Sequence, residues 1–390
     1  DGKDSADWGV RLKKRALIAD GLLFKTASLQ VTIRIYGKSI SSQRTMTTMK
    51  SKLFINKKVW ESFSEDELEE YVEQVFQYYR ERAGFPFFRM TTKKAKEVIK
   101  KLRAFDTDRL VGDVRHGNNL KQFMLGLNLV NLFMRHMWEV KCHGFKSPME
   151  SFNDDDMLRK AIRKRIRLGD NMSDAGMRKA LSWTHGTHRV SNFRPTVAKY
   201  IYDNYSGDGN VLDFSSGFGG RLMGAITSDK VRKYTGTDPC VKSYEALDEL
   251  IDFLQRIGYV TPPVITYRQP FEDVDFPKGE YDLSFSSPPY FNTEEYDYED
   301  TQSFIRYPTQ ELWRDKFLKP LIEKNHELLK HKGNFVINVA SVKTYPDLEK
   351  DTVNLAKEAG FTLTKIYKMA LSSLMKGGYK YEPIFVFQKP

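Results

Sequence analysis

Apolar residues recur with a helical period through most of the first half of this 390-residue chain and gather into short β-branched runs in the second. Residues 64 to 79 open with Ser64-Glu-Asp-Glu67, a capping box whose serine and glutamate side chains satisfy free N–H groups at a helix start. Leu68, Tyr71, Val72, Val75, Phe76 and Tyr79 follow at intervals of three and four, which predicts a helix that buries this stripe and stops before Gly84 and Pro86. The same reading predicts helices over 93–105, 120–140 and 155–168. Ahead of them, Leu29-Gln-Val-Thr-Ile-Arg-Ile-Tyr36 alternates apolar and polar side chains and predicts a half-buried strand.

The texture changes at Phe193. Seven short runs, at 210–213, 234–238, 264–267, 281–285, 334–339, 362–366 and 384–387, alternate with helical stretches. That order predicts an α/β domain with a mainly parallel seven-stranded sheet over residues 191–390, preceded by a mostly helical region over 1–190. A parallel sheet binds ligands at the carboxyl ends of its strands, above all where the strand order reverses. No internal repeat or low-complexity linker interrupts the pattern.

Charge separates the two regions. Residues 1–195 hold 38 Lys and Arg against 23 Asp and Glu, a net +15, whereas 196–390 hold 24 against 28, a net −4. A positive field confined to one half attracts polyanions, and nucleic acid is the expected partner. Within it, Arg159, Arg163 and Arg167 lie at i, i+4 and i+8 with Lys160 and Lys164 beside them, five cations along one helical face. This face suits phosphates; a solvated face is the alternative. The longest nearly uncharged apolar stretch, 123–134, is too short to span a membrane and contains two asparagines. The first residues have no apolar signal core, and Cys142 and Cys240 are too few for a disulfide framework, so a reducing, cytoplasmic setting is expected. Two histidines in Trp183-Thr-His-Gly-Thr-His188 lack a cysteine or carboxylate to complete a metal site, and no metal is expected.

Two motifs carry chemistry. Val211-Leu-Asp-Phe-Ser-Ser-Gly-Phe-Gly-Gly-Arg221 runs a strand into a glycine-rich turn and then a helix, and the next strand ends at Asp238. Glycines let the backbone approach a ligand, and a carboxylate at that distance can accept both ribose hydroxyls of a nucleoside cofactor. A dinucleotide site and a purely structural turn are the competing readings. Farther on, a buried strand stops at Ser287-Pro288-Pro289-Tyr290. Two prolines remove two N–H donors and fix two φ angles, so the carbonyls there form a rigid acceptor site. Acceptors that hold both hydrogens of a ring-conjugated amine turn its lone pair outward for attack, and Tyr290 can stack on the ring.

In these motifs the chain resembles, over about residues 190–390, the DNA amino-methyltransferases, which methylate cytosine N4 or adenine N6 from S-adenosylmethionine (SAM). The resemblance implies a Rossmann-like methyltransferase domain with SAM as cofactor. It implies that Asp213, Ser215, Gly217, Gly219 and Asp238 hold SAM, and that Ser287, Pro288, Pro289 and Tyr290 hold the target amine. Ser191-Asn-Phe-Arg-Pro-Thr196 resembles the element that closes over the methionine end of SAM, through Phe193 and Thr196. The chain departs from the family at Ser215, where Phe is usual, and after the third strand, where an Asp usually serves the adenine ring. There the chain reads Tyr267-Arg-Gln-Pro-Phe-Glu272, and Gln269 and Phe271 take that role. The Ser form of the tetrapeptide favours cytosine N4 in DNA. Adenine N6, RNA bases, a protein glutamine and a silent nucleic-acid-binding module are the rivals. The acidic, aromatic residues 291–300 are either a polar crossover loop or a cover for the base.

Overall fold

A computed structural model describes residues 33–35 and 38–40 as backbone, and residues 53–112, 118–169, 171–373 and 379–390. The chain divides into two compact units, residues 1–52 and 53–390. In the first, β1 (Ile33–Ile35), within the predicted strand, pairs antiparallel with β2 (Lys38–Ile40), which lies beyond it; the rest of that prediction lies outside the described residues.

The second unit begins with α1 (Glu65–Tyr78), whose capping box forms as expected. Tyr71, Val72, Val75, Phe76, Tyr78 and Tyr79 are buried, and Leu68 packs at the margin. α2 (Thr92–Arg103) and α3 (Asp155–Arg167) match the periodicity. The helix expected over 120–140 does not form. That stretch supplies the edge strand β3 (Asn119–Leu120) and then short turns of helix around Gly126, whose φ of +86° no continuous helix accommodates. Leu127, Leu129, Val130, Met134, Met137 and Trp138 are buried with Asn128, Arg135 and Glu139 exposed between them, a spacing that also fits a helix and so does not report the breaks. β4 (Lys141–Cys142) and α4 (Asp174–Trp183) complete this region.

The sheet unit follows as α5 (Pro195–Tyr205), β5 (Asn210–Asp213), α6 (Gly220–Thr227), β6 (Lys233–Thr237), α7 (Val241–Arg256), β7 (Val264–Tyr267), β8 (Tyr281–Ser286), β9 (Glu294–Glu295), α8 (Lys319–Leu328), β10 (Leu329–Asn338), α9 (Leu348–Glu358), β11 (Thr362–Ser373) and β12 (Tyr379–Gln388). Its order is β3-β11-β12-β10-β8-β5-β6-β7. All seven predicted strands are present, and β3 adds an eighth. Only β12 runs against the others.

Alternation along the strands sorts the core into two layers. Val211, Leu283, Phe285, Val336, Ile384 and Val386 face one side; Leu212, Phe335, Ile337, Phe385 and Phe387 face the other. The second face is covered by α8 and α9 through Leu321, Ile322, Leu355 and Ala356. The first is covered by α5 to α7, and the same cluster continues without a break into Val72, Leu102, Trp138, Ile162 and Leu181. The boundary that charge and texture suggest at residue 190 is therefore not a break in packing; within the described residues, helices before 190 complete one face of the sheet's core. No described helix is long and apolar enough to cross a membrane.

Candidate active site

Strand order reverses between β5 and β8, and these two strands end in the two sequence motifs. β5 runs through Asp213 into the glycine turn; β8 runs through Ser286 into Ser287–Tyr290. Gly217 and Ser215 line one cavity together with Ser287, Pro288, Pro289 and Tyr290. The wall also takes Asp238 after β6, Asn338 at the end of β10, Met369 of β11 and Glu382 of β12. Because β12 is antiparallel, its early residue Glu382, registered opposite Met369, comes to the same sheet edge as the carboxyl end of β10. Sheet order thus becomes an order along the cavity: Asp238, the glycine turn, the tetrapeptide, then Asn338 and Glu382.

Hydrogen bonds to carboxylates shape the turn. Gly217, at φ +54°, donates its N–H to Asp238 Oδ2 at 2.7 Å, and Cys240 donates to Oδ1 at 3.0 Å. Burial pushes the Asp238 carboxyl up to about 6, against the pull of those two donors. Asp213 is fully buried and accepts from Ser286 Oγ at 2.6 Å, Tyr234 Oη at 2.8 Å and Arg221 Nε at 2.9 Å. A Cβ on Gly220 would collide with the Phe193 carbonyl, so the 191–196 segment lies directly on the start of α6. Asn192 ties it there, donating to the Phe218 carbonyl at 2.8 Å.

The tetrapeptide is anchored from behind. The next residue, Phe291, adopts φ +56°, a conformation bulky residues rarely hold. Its buried ring packs against Trp313 and Tyr345, with centroids 6.1 and 6.4 Å away, which compensates for the strain. Tyr290 donates its hydroxyl to Asn338 Oδ1 at 3.3 Å, and Ser287 Oγ lies 3.4 Å from the Tyr290 hydroxyl oxygen.

The remaining wall is acidic. β9 pairs with β4, which pins Glu294 and Tyr296 of the 291–300 segment at the cavity. Tyr296 donates to the Glu294 carboxyl, which burial pushes up to about 7, with Glu382 adding to the rise. Burial also raises Glu382, and Arg194 offsets part of this. Two buried donors at this wall, Arg194 Nε and Gln302 Nε2, have no partner among the described residues.

Of the residues singled out for SAM, Phe193, Ser215, Gly217 and Asp238 line the cavity; five others do not. Asp213 is enclosed by its donors and acts on the turn from below. Gly219, at φ +72°, has its α-carbon against Leu247 and Met134. Thr196 is buried and donates to the Phe123 carbonyl at 3.0 Å. Gln269 is exposed at the turn after β7. Phe271 is a core residue, packed on Phe214 and Phe276 with Lys324 over its ring; the core layer beneath the turn needs its ring. Sequence reading missed Arg194, Asn338, Met369 and Glu382, which no local motif marks.

The five-cation face is also rearranged. Arg159 bonds Glu73 at 2.9 Å and lies 3.6 Å from the Phe76 ring centroid, and Arg163 bonds Glu69 at 2.9 Å. Lys164 donates to the Trp183 carbonyl. Residues 157–169 contain no acidic side chain, and the partners of Arg159 and Arg163 come instead from α1, packed alongside α3. Lys160 and Arg167 stay exposed, without a partner shown among the described residues.

No protein-family model matches the chain, and no curated protein does. Among solved structures, magnesium protoporphyrin IX methyltransferase of Synechocystis with bound SAM is 15% identical over 50% of this chain and 77% of its own, with a TM-score of 0.35. A SAM-dependent O-methyltransferase of Thermotoga maritima is 12% identical over 52% and 67%, also at 0.35. Geranyl diphosphate C-methyltransferase of Streptomyces coelicolor is 11% identical over 50% and 79%, at 0.35. The chain's own strand order and motifs describe a Rossmann-like α/β protein in which a glycine turn and a Ser-Pro-Pro-Tyr strand end share one cavity at the switch point of the sheet.

Proposed function

We propose that this chain is a SAM-dependent methyltransferase acting on an exocyclic amine of a nucleic-acid base, with cytosine N4 in DNA as the first choice. The observation that carries the reading is the shared cavity: Gly217 and Asp238 at one end, Ser287–Tyr290 beside them.

The residues fit the cofactor. Each Asp238 oxygen accepts one backbone N–H and keeps a lone pair for a ribose hydroxyl. The buried carboxyls suit a cationic ligand. When bound, SAM supplies an electrophilic methyl group on a sulfonium.

The chain's own residues then select and orient the nucleophile. The rigid carbonyls at Ser287 and Pro288 accept the amine hydrogens, and Tyr290, its hydroxyl held by Asn338, offers a fixed ring to stack the base. The tetrapeptide lies inside a cavity at the sheet edge, so a base enters while its backbone stays outside. In a duplex this means extrusion of the nucleotide, at a cost of about a few kcal/mol that stacking offsets. The net +15 of residues 1–195 supports a polyanionic substrate, and the Ser form of the tetrapeptide supports cytosine.

The test is transfer of labelled methyl from SAM to DNA, RNA and protein, followed by digestion of the product to nucleosides and mass spectrometry. N4-methylcytosine is the expected product. Label found only in protein overturns the reading.

A further inference from the structure

The wall beyond the tetrapeptide has a chemistry that holding an amine does not require. Glu382 faces the cavity from β12, within reach of the Tyr290 hydroxyl and the Asn338 amide. No cation is bonded to it among the described residues; the charges and titratable groups acting on it are Arg194, Lys380 and Glu294. Arg194 is 8% exposed, lines the same cavity, and leaves its Nε–H without a partner. A buried guanidinium N–H with no acceptor is costly, and a ligand that brings an acceptor relieves it.

Resting on the proposed function, we propose that Glu382 and Arg194 read the ring edge next to the target amine, Glu382 as a carboxylic acid donating to cytosine N3 and Arg194 donating to cytosine O2. Cytosine presents, in order, an N4 amine, the N3 acceptor and the O2 acceptor. The cavity presents, in sheet order, the acceptor carbonyls of Ser287 and Pro288, then Asn338 and Glu382, while Arg194, just ahead of α5, lines the same cavity and acts on the Glu382 carboxyl. A protonated carboxyl donates, whereas a carboxylate only accepts, so the ring nitrogen calls for the neutral form. Burial favours that form, against the pull of Arg194, Lys380, Tyr290 and Asn338. Adenine also has a ring acceptor beside its amine but only a C–H where cytosine has O2. Arg194 therefore discriminates between the two bases, and Glu382 serves either.

The test uses the full chain, labelled SAM and randomised single-stranded oligodeoxynucleotide pools, one made with dC and one with 3-deaza-dC, which has C–H in place of N3. Glu382→Ala is expected to lower kcat/KM on the dC pool about 100-fold, on the scale of an unmatched buried polar group, with SAM affinity retained as evidence of folding. Glu382→Gln, whose amide always donates, is expected to recover most of that loss. The wild type is expected to fall by a similar factor on 3-deaza-dC, and Glu382→Ala to be indifferent to the change. Arg194→Ala is expected to lower N4-methylcytosine more than N6-methyladenine. Unchanged transfer in Glu382→Ala, or Glu382→Gln as inactive as Glu382→Ala, overturns the inference and leaves the methyltransferase reading standing. A wild type that binds SAM and methylates neither base overturns both.

Discussion

The Ser286 hydroxyl donates to the Asp213 carboxylate at 2.6 Å, and this bond joins the last residue before the tetrapeptide to the last strand residue before the glycine turn. The same hydroxyl lies 3.2 Å from the Ser215 carbonyl. Asp213 also holds Arg221, at the start of α6, and Tyr234 of β6. One buried carboxylate thus sets the spacing of both halves of the cavity.

Replacing that carboxylate should damage the fold before the chemistry. In Asp213→Ala the buried Arg221 guanidinium loses its counter-charge, a change that costs about 3–5 kcal/mol. Chemical denaturation should show a correspondingly lower midpoint. Ser286→Ala removes one hydrogen bond, should cost about 1 kcal/mol, and should lower methyl transfer by loosening the tetrapeptide.

The tetrapeptide itself should separate chemistry from cofactor binding. Pro288→Ala or Tyr290→Ala is expected to reduce methyl transfer at least about 100-fold, on the scale of removing a transition-state donor or acceptor. SAM affinity, measured by calorimetry, should change little. Loss of SAM binding in both variants would contradict the division of roles.

Cofactor affinity should depend on pH through Asp238, whose carboxyl is raised to about 6. Above that value it is ionised, holds the Gly217 and Cys240 N–H groups and can accept ribose hydroxyls. As pH falls through about 6 it protonates, and SAM affinity should weaken. In Asp238→Asn that pH dependence should disappear and affinity should be low throughout.

Glu294 makes a separate prediction for stability. Its folded value, about 7, lies above the ordinary glutamate value of 4.5, so the folded state binds more protons than the unfolded state between those limits. The contribution is present below about 4.5 and is lost as pH rises through about 7. Glu294→Gln should flatten this part of the stability profile in denaturant titrations across that range.

On α3, Arg159→Ala and Arg163→Ala should lower the unfolding midpoint, because these side chains bind Glu73 and Glu69. They should leave the salt dependence of DNA binding unchanged. Lys160→Ala and Arg167→Ala should do the reverse, each reducing the slope of log affinity against log salt by about one.

The strands were legible because alternation and β-branching report burial directly: all seven predicted runs lie in the sheet. Both motifs were legible because proline fixes the backbone and glycine frees it wherever they occur. The stretch after residue 120 misled because its buried residues keep near-helical spacing across short turns, so the apolar pattern does not report the break at Gly126. Asp213 and Phe271 show a second limit. A motif places a residue near a site but does not say whether its side chain points into the cavity or into the core beneath it. Glu382 and Asn338 reach the cavity only through strand order and antiparallel register, and Arg194 through the packing of the 191–196 segment on α6, which are long-range facts. The cations of α3 were read without α1, because ion pairs between helices leave no trace in local spacing.

The account rests most directly on one structure, that of the chain with S-adenosylhomocysteine. It predicts the ribose hydroxyls on Asp238, backbone contact at Gly217, and the sulfur turned toward Ser287–Tyr290. A ligand bound elsewhere, or one whose sulfur faces away from the tetrapeptide, would contradict it.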